Sequence, residues 1–172
     1  MIQRLLTPRE VAASVADLDP EALHRRGVRG VILDLDNTIV PWGRRTVPPV
    51  VHEWVEGLRR TGIRVCIVSN NSGGWARQVS ASLGGIPVVG WALKPVPFGF
   101  RRAMRLMGTA PAQTALVGDQ LFTDVLGGNL LGVYTILVEP LSPRDWLSTR
   151  LVRLLEGPFR RRLARRFPQD TG

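Results

Sequence analysis

Val31-Ile32-Leu33-Asp34-Leu35-Asp36-Asn37-Thr38 is the stretch that decides the fold. An apolar run without polar alternation stops at two aspartates one residue apart. Val31–Leu35 therefore reads as a strand apolar on both faces, the mark of a strand inside a parallel sheet. The chain alternates outward from it. Pro49–Arg60 reads as a helix stopped by Gly62, Ile63–Val68 as a strand, and Gly74–Leu83 as a helix closed by Gly84-Gly85. Ile86–Val89 is a short strand, followed by a Pro-broken loop through Pro97. Phe98–Met107 is a helix ending at Gly108, Thr114–Val117 a strand, Leu121–Leu131 a helix ending at Gly132, and Tyr134–Val138 a strand. Two helix starts precede this body: Thr7-Pro8-Arg9-Glu10, which has the form of a capping box, and Asp19-Pro20. Strands alternating with helices predict an α/β fold, a doubly wound parallel sheet with helices on both sides. The expected division is one domain over 1–140 with a short helical lead-in, then a basic amphipathic helical tail over 141–172.

A chain of 172 residues, 44% apolar, is long enough to bury one core. Runs such as Val65–Val68 are too short to cross a bilayer. Arg4 is followed only by Leu5 and Leu6 before Thr7-Pro8, so no signal-peptide h-region is expected. Cys66 is the single cysteine, which excludes an intrachain disulfide and makes a cytoplasmic location the expectation. The formal charge is +9, and eight arginines fall between Arg144 and Arg166 against only Asp145 and Glu156. That imbalance fits either a solvated basic face or contact with an anionic surface.

In parallel sheets of this kind ligands bind at the carboxyl ends of the strands. The polar residues expected there are Asp34, Asp36, Asn37 and Thr38, then Ser69-Asn70-Asn71, then Lys94, then Gly118-Asp119 with Asp124. In an extended segment Asp34 and Asp36 point to one side, where their charges repel unless a cation joins them. Asp119 at a neighbouring strand end completes an oxygen-rich set, which suits Mg²⁺. A helix cap or Asx-turn is the plainer use of an Asp-x-Asp pair, but it does not account for Asp119 and Lys94 at sister positions. Lys94 is the only lysine in the chain. A compact ammonium can donate to a phosphoryl oxygen as a point charge. Ser69 and the backbone N–H groups of the following helix start form an anion cradle, or a simple N-cap.

Asp34-x-Asp36-x-Thr38, Ser69, Lys94 and Gly118-Asp119-x-x-x-x-Asp124 resemble, in order, the four motifs of the haloacid dehalogenase (HAD) superfamily. The resemblance spans residues 30–138. The stretches Asp34–Trp42, Val68–Asn71 and Gly118–Asn129 are more closely similar to subclass IIIA phosphatases of the YqeG type, themselves similar to mitochondrial phosphatidylglycerophosphate phosphatase. The resemblance implies a HAD-type Rossmann-like fold and a phosphatase. Asp34 would be the nucleophile and Asp36 the acid and base. Mg²⁺ would be held by Asp34, the Asp36 backbone carbonyl and Asp119, with Asp124 in support. Ser69, Asn70, Lys94 and Thr38 would hold the phosphoryl group. The residues by themselves leave open whether Asp34 or a water attacks phosphorus.

About 30 residues separate Thr38 from Ser69 and about 25 separate Ser69 from Lys94, each interval mostly used by one helix and one strand, so no cap domain is expected. An open site suits a large or surface-borne substrate. In the tail, Leu147, Leu151, Leu154 and Leu155 share one helical face, and Pro158 is expected to interrupt before Phe159, Leu163 and Phe167 recur among arginines. With Trp146 these form a candidate peripheral anchor on the inner face of a membrane, or a face that packs on the sheet or a second subunit. Open site, tail and resemblance together favour an anionic phospholipid, phosphatidylglycerophosphate, as substrate. The alternatives are a phosphatase of soluble nucleotides, sugar phosphates or phosphoproteins, and a non-catalytic nucleic-acid-binding protein on the same fold. The second is disfavoured because Asp34, Asp36, Lys94 and Asp119 are all present and the stacking-aromatic pattern of RNA modules is absent.

Overall fold

The computed structural model describes residues 2–44, 46–71, 73–142 and 147–167, and of 2, 147–155 and 164 the backbone alone. Among the described residues six strands form one sheet: β1 (Glu10–Ala12), β2 (Gly30–Leu33), β3 (Arg64–Val68), β4 (Val88–Val89), β5 (Thr114–Gly118) and β6 (Tyr134–Val138); α1 (Ile2–Leu5) and α2 (Pro20–Arg25) precede β2, and α6 (Leu126–Leu131) precedes β6. Their order is β1-β6-β5-β2-β3-β4, and every pairing is parallel. From β2 the chain moves to β3 on one side and later returns through β5 on the other. The crevice above β2 and β5 is thus a topological switch point, where such sheets bind ligands.

Alternate strand residues feed two cores. Val31, Leu33, Val65, Ile67, Ala115, Val117 and Ile136 face α3 (Pro49–Arg60) and α4 (Gly73–Ser82). Ile32, Cys66, Val68 and Leu116 face α5 (Pro97–Met107). In α3 the buried Val51, Trp54, Val55 and Leu58 lie at i, i+3, i+4 and i+7, and in α5 Phe100, Ala103, Met104 and Met107 repeat the pattern. Proline opens both helices, and Gly108, in the left-handed region at φ +61°, ends the second. The described residues between β2 and β3, and between β3 and β4, contain one helix each and no inserted domain. No described helix is long and apolar enough to cross a membrane.

The structure corrects three expectations. Thr7-Pro8-Arg9-Glu10 does not start a helix. The Thr7 hydroxyl instead donates back to the Gln3 carbonyl at 2.7 Å, and Glu10–Ala12 becomes edge strand β1, paired Val11 to Leu137. The open edge of β6 offers ladder bonds that outweigh a local capping signal, and the capping box forms at Ser14 and Asp17. Asp19 caps Pro20–Arg25 as expected.

The segment expected as one helix over Leu121–Leu131 opens with a wide π turn, Leu121–Val125, before the α-helical Leu126–Leu131. Pro158 does not interrupt the tail: the helix α7 runs Leu147–Arg166 through it. A mid-helix proline costs about 3 kcal/mol. Here the turns after it are pinned to the domain, because Phe159, Leu163 and Phe167 pack with Leu121, Val125, Leu137 and Val11. The Phe159 ring meets Phe122 edge-on, centroids 5.9 Å apart. These three side chains are therefore spent on the domain and do not form a free anchor. The face of Leu147, Leu151, Leu154 and Leu155, and Trp146, lie outside the described side chains.

Candidate active site

The register Leu33↔Val117 places Asp34, one step past β2, beside Gly118 and one residue short of Asp119 at the end of β5. Asp34 keeps the sheet bond, its N–H donating to the Val117 carbonyl at 3.0 Å, while its side chain turns up into the crevice. The chain then doubles back at once. Asn37 sits at φ +63°, a conformation asparagine tolerates, and its N–H donates to Val40. Its side-chain oxygen accepts from the Trp42 N–H at 3.0 Å. This tight turn swings Thr38 inward, where its hydroxyl lies 3.0 Å from Asp34 Oδ2 and 3.3 Å from Asp119 Oδ1.

Asp124 arrives by a different route. The π turn carries it back beneath the strand end, its N–H and that of Val125 both donating to the Gln120 carbonyl, while its Oδ2 accepts from the Gln120 N–H at 3.2 Å. The wider turn explains the departure from a simple helix, since such turns re-aim a side chain at a functional site. Only glycine fits at 118: a Cβ there would lie 2.4 Å from Asp124 Cγ.

Asp34, Asp119 and Asp124 are all buried, and each offers a carboxylate oxygen within 4.8 Å of the others'. The Lys94 ammonium is wedged among them, bonded to Asp34 Oδ1 and to Asp124 Oδ1, the latter at 2.7 Å. Burial would push that ammonium's pKa down, but the charges of Asp124 and Asp34 win and raise it. Asp124 is pushed up, by burial first, with Lys94 pulling it down and Asp34 raising it further. These three buried carboxylates share the pocket with one ammonium, a surplus of anionic oxygen donors over cationic groups among the four. A divalent cation with a preference for oxygen balances that surplus, so the donor set fits one.

Asp36 stands apart from this cluster. Its carboxylate accepts from the Asn71 side-chain amide. Burial and the nearby Asp34 charge raise its pKa to about 6, against the lowering pull of Asn71 and Lys94. Ser69 is buried at the end of β3, its oxygen taking the Asn71 N–H at 3.1 Å, so its own proton is the one it can give a ligand. Asn70 clamps Lys94 through the backbone: its Oδ1 accepts from the Lys94 N–H at 2.7 Å and its amide donates to the Lys94 carbonyl at 3.4 Å. Asp34, Asp36, Thr38, Ser69, Asn70, Lys94, Asp119 and Asp124 thus gather at one end of the sheet, Asn70 using its side chain on the lysine loop.

Sequence reasoning missed two residues that brace the site. Glu156 of α7 is fully buried and accepts the Phe122 N–H at 3.0 Å, at the start of the π turn. One turn on, Arg160 donates to the Asp119 backbone carbonyl and reaches Glu139 at 3.3 Å and Glu156 at 3.5 Å. The signal available was the isolation of Glu156 in an arginine-rich stretch, four residues before Arg160.

The chain is also similar to known proteins. The chain is 42% identical over 156 residues, covering 91% of itself and 90% of its relative, to the "Probable phosphatase YqeG" of Bacillus subtilis. It is 30% identical to phosphatidylglycerophosphate phosphatase 1, chloroplastic/mitochondrial, of Arabidopsis thaliana, over 89% of this chain and 47% of that one. It therefore spans about half the length of the plant relative. Among solved structures, a chain from Streptomyces avermitilis described as a HAD family hydrolase superposes with a TM-score of 0.52 at 15% identity, over 78% of this chain and 83% of that one. That likeness shows the fold. The family model described as mitochondrial PGP phosphatase matches residues 1–141, and the chain belongs to that family.

Proposed function

We propose that this phosphatase removes the terminal phosphate of phosphatidylglycerophosphate, in a Mg²⁺-dependent reaction that passes through an aspartyl-phosphate on Asp34. The observation that carries the reading is the convergence of Asp34, Asp119 and Asp124 from separate elements around a single buried ammonium. The Asp34 carboxylate, the Asp36 backbone carbonyl and Asp119 would hold Mg²⁺ with Asp124 in support, and the ion would neutralise charge on nucleophile and phosphate alike.

The chain's own groups supply the rest. An Asp34 carboxylate oxygen attacks phosphorus, the P–O bond to the glycerol oxygen breaks, and the phosphoryl group passes to Asp34. Asp36 gives its proton to the departing oxygen. Its raised pKa, about 6, keeps a proton available where an ordinary aspartate would have lost it. The resulting Asp36 carboxylate then takes a proton from water, whose oxygen attacks the acyl phosphate and releases inorganic phosphate and Asp34. Lys94, Ser69 and the Thr38 hydroxyl oppose the charge on the phosphoryl oxygens, and Asn70 fixes the lysine's peptide.

The relatives support the lipid. The absence of an inserted domain among the described residues agrees with a head group presented from a surface. The reading includes a cytoplasmic location with peripheral contact to the inner face of the bilayer, which would bring the site to that substrate. The test is a phosphate-release panel with Mg²⁺, comparing phosphatidylglycerophosphate with nucleotides and sugar phosphates. The lipid is expected to turn over at least tenfold faster, and Asp34→Asn to be inactive while folded. Preference for a soluble phosphate ester would replace the lipid reading with the soluble one.

A further inference from the structure

Lys94 lies in an eight-residue segment, Trp91–Phe98, that runs from just after β4 into the first turn of α5 at the carboxyl end of the sheet. The segment alternates sharply. Ala92 and Lys94 point in and are buried, whereas Trp91 and Leu93 are each 67% exposed. Val96 and Phe98 follow at 51% and 59%. Single exposed apolar residues are ordinary on protein surfaces, but four large ones within eight positions, beside a catalytic lysine, are not.

The segment is held from beneath. Ala92 is pressed by α5, where a Cβ on Gly99 would lie 2.6 Å from its own. Lys94 is tied by its ammonium to Asp34 and Asp124 and by its peptide to Asn70. A turn from Val96 N–H to the Leu93 carbonyl, 2.9 Å, closes the tip. Trp91 and Leu93 both sit at positive φ, +48° and +55°, where bulky side chains are rare. The backbone thus accepts an unfavourable conformation that presents two large apolar groups to solvent. Behind them Phe98, Arg101, Arg102 and Arg105 lie at i, i+3, i+4 and i+7 on α5, and the three arginines are exposed.

We propose that Trp91, Leu93, Val96 and Phe98 form a wedge that seats in the outer acyl region of an anionic bilayer, with the Arg101, Arg102 and Arg105 stripe on the lipid head groups. A bilayer is the occupant because its chemistry matches in order: an apolar tip whose one side-chain donor is the Trp91 indole N–H, a basic rim, and a chain of net charge +9. The placement also suits the reaction. The reacting phosphate of a membrane lipid stays within one head group of the acyl region. Here the lysine that would hold that phosphate is the immediate neighbour of Leu93, about 3.8 Å away from Cα to Cα.

This inference rests on the phospholipid reading, and its test separates the two. Trp91→Asn and Leu93→Asn with Phe98→Gln remove the apolar groups, and asparagine suits the positive φ, so the fold is kept. Flotation with phosphatidylglycerol vesicles, with phosphatidylcholine vesicles as control, should show wild-type protein bound to the anionic vesicles and the triple variant bound at least about tenfold more weakly. Turnover of vesicle-borne phosphatidylglycerophosphate should fall with binding, while turnover of a short-chain, monomeric phosphatidylglycerophosphate stays at the wild-type rate. Independently of any fold change, lipids brominated near the carbonyl end of the acyl chain should quench wild-type tryptophan fluorescence. Trp91→Phe should remain bound and lose that quenching. Equal vesicle binding by wild type and triple variant, no anionic-vesicle binding by wild type, or unchanged quenching in Trp91→Phe would overturn the wedge. Failure of wild type to hydrolyse even the short-chain substrate would overturn the lipid-phosphatase reading instead, leaving the binding result to judge the wedge.

Discussion

Replacing Glu156 with alanine tests whether the C-terminal helix is part of the active-site frame. Glu156 is fully buried, and its Oε1 is the acceptor for the Phe122 N–H at 3.0 Å. Alanine leaves that partly buried N–H without its partner, a loss of about 1–3 kcal/mol, at the upper end because the acceptor is a carboxylate. The second contact, Arg160 Nε to Glu156 Oε2 at 3.5 Å, is long and its arginine partly exposed, so it adds about 0.5 kcal/mol. Together the change is about 3 kcal/mol, or a fall in Tm of roughly 6–12 °C for a chain of this size. Glu156→Gln keeps an acceptor for Phe122 and should recover more than half of the loss. Urea unfolding read by circular dichroism measures both. Because Phe122 opens the turn that carries Asp124, and Arg160 holds the Asp119 carbonyl, Glu156→Ala should also weaken Mg²⁺ binding measured by calorimetry. A cost below about 0.5 kcal/mol with unchanged metal affinity would refute the argument that α7 braces the site.

Lys94→Met leaves three buried carboxylates facing one another without an ammonium. The metal-free protein should lose about 3–5 kcal/mol in urea unfolding, and millimolar Mg²⁺ should restore much of it while phosphate release stays lost. Gly118→Ala puts a methyl group 2.4 Å from Asp124 Cγ, and the resulting shift should cost about 1–3 kcal/mol and slow turnover by more than tenfold, read by denaturation and phosphate release. Asp36, raised to about 6 from 3.8, keeps its proton in the folded protein at pH values where the unfolded chain has released it. Its contribution to stability is therefore full below about pH 4 and is lost as pH rises through 6, so Asp36→Asn should stabilise the metal-free protein at pH 8 relative to wild type and not at pH 4. Carboxyl NMR of the metal-free protein should find its midpoint near 6. Saturating Mg²⁺ at about 100 times its Kd should stabilise the protein by about 2.7 kcal/mol, and Asp119→Asn should abolish that gain in thermal unfolding.

The central sheet was readable because its strands are apolar on both faces and its helices carry strong boundary residues. Pro49–Arg60 and Tyr134–Val138 fall where periodicity and punctuation put them. The site was readable for a related reason: Asp34, Asp119 and Lys94 are polar groups stranded at the ends of apolar strands. What sequence could not show depends on tertiary partners. Thr7–Glu10 carries a sound capping signal, but the free edge of β6 is invisible locally, and it decides that segment. The π turn at Leu121–Val125 leaves no periodic mark over five residues. Phe159, Leu163 and Phe167 show an apolar face, yet a face looks the same whether it meets lipid or Leu137. Trp91 and Leu93 lie in the Pro-broken loop, and only the inward turn of Ala92 and Lys94 shows which way they point.

The most direct test of the account is to find the phosphoryl group on the enzyme. Protein quenched in acid during turnover of phosphate-labelled phosphatidylglycerophosphate, then digested, should carry the label on the peptide containing Asp34, with none in Asp34→Asn. Label on another residue, or full-rate turnover by Asp34→Asn, would contradict it.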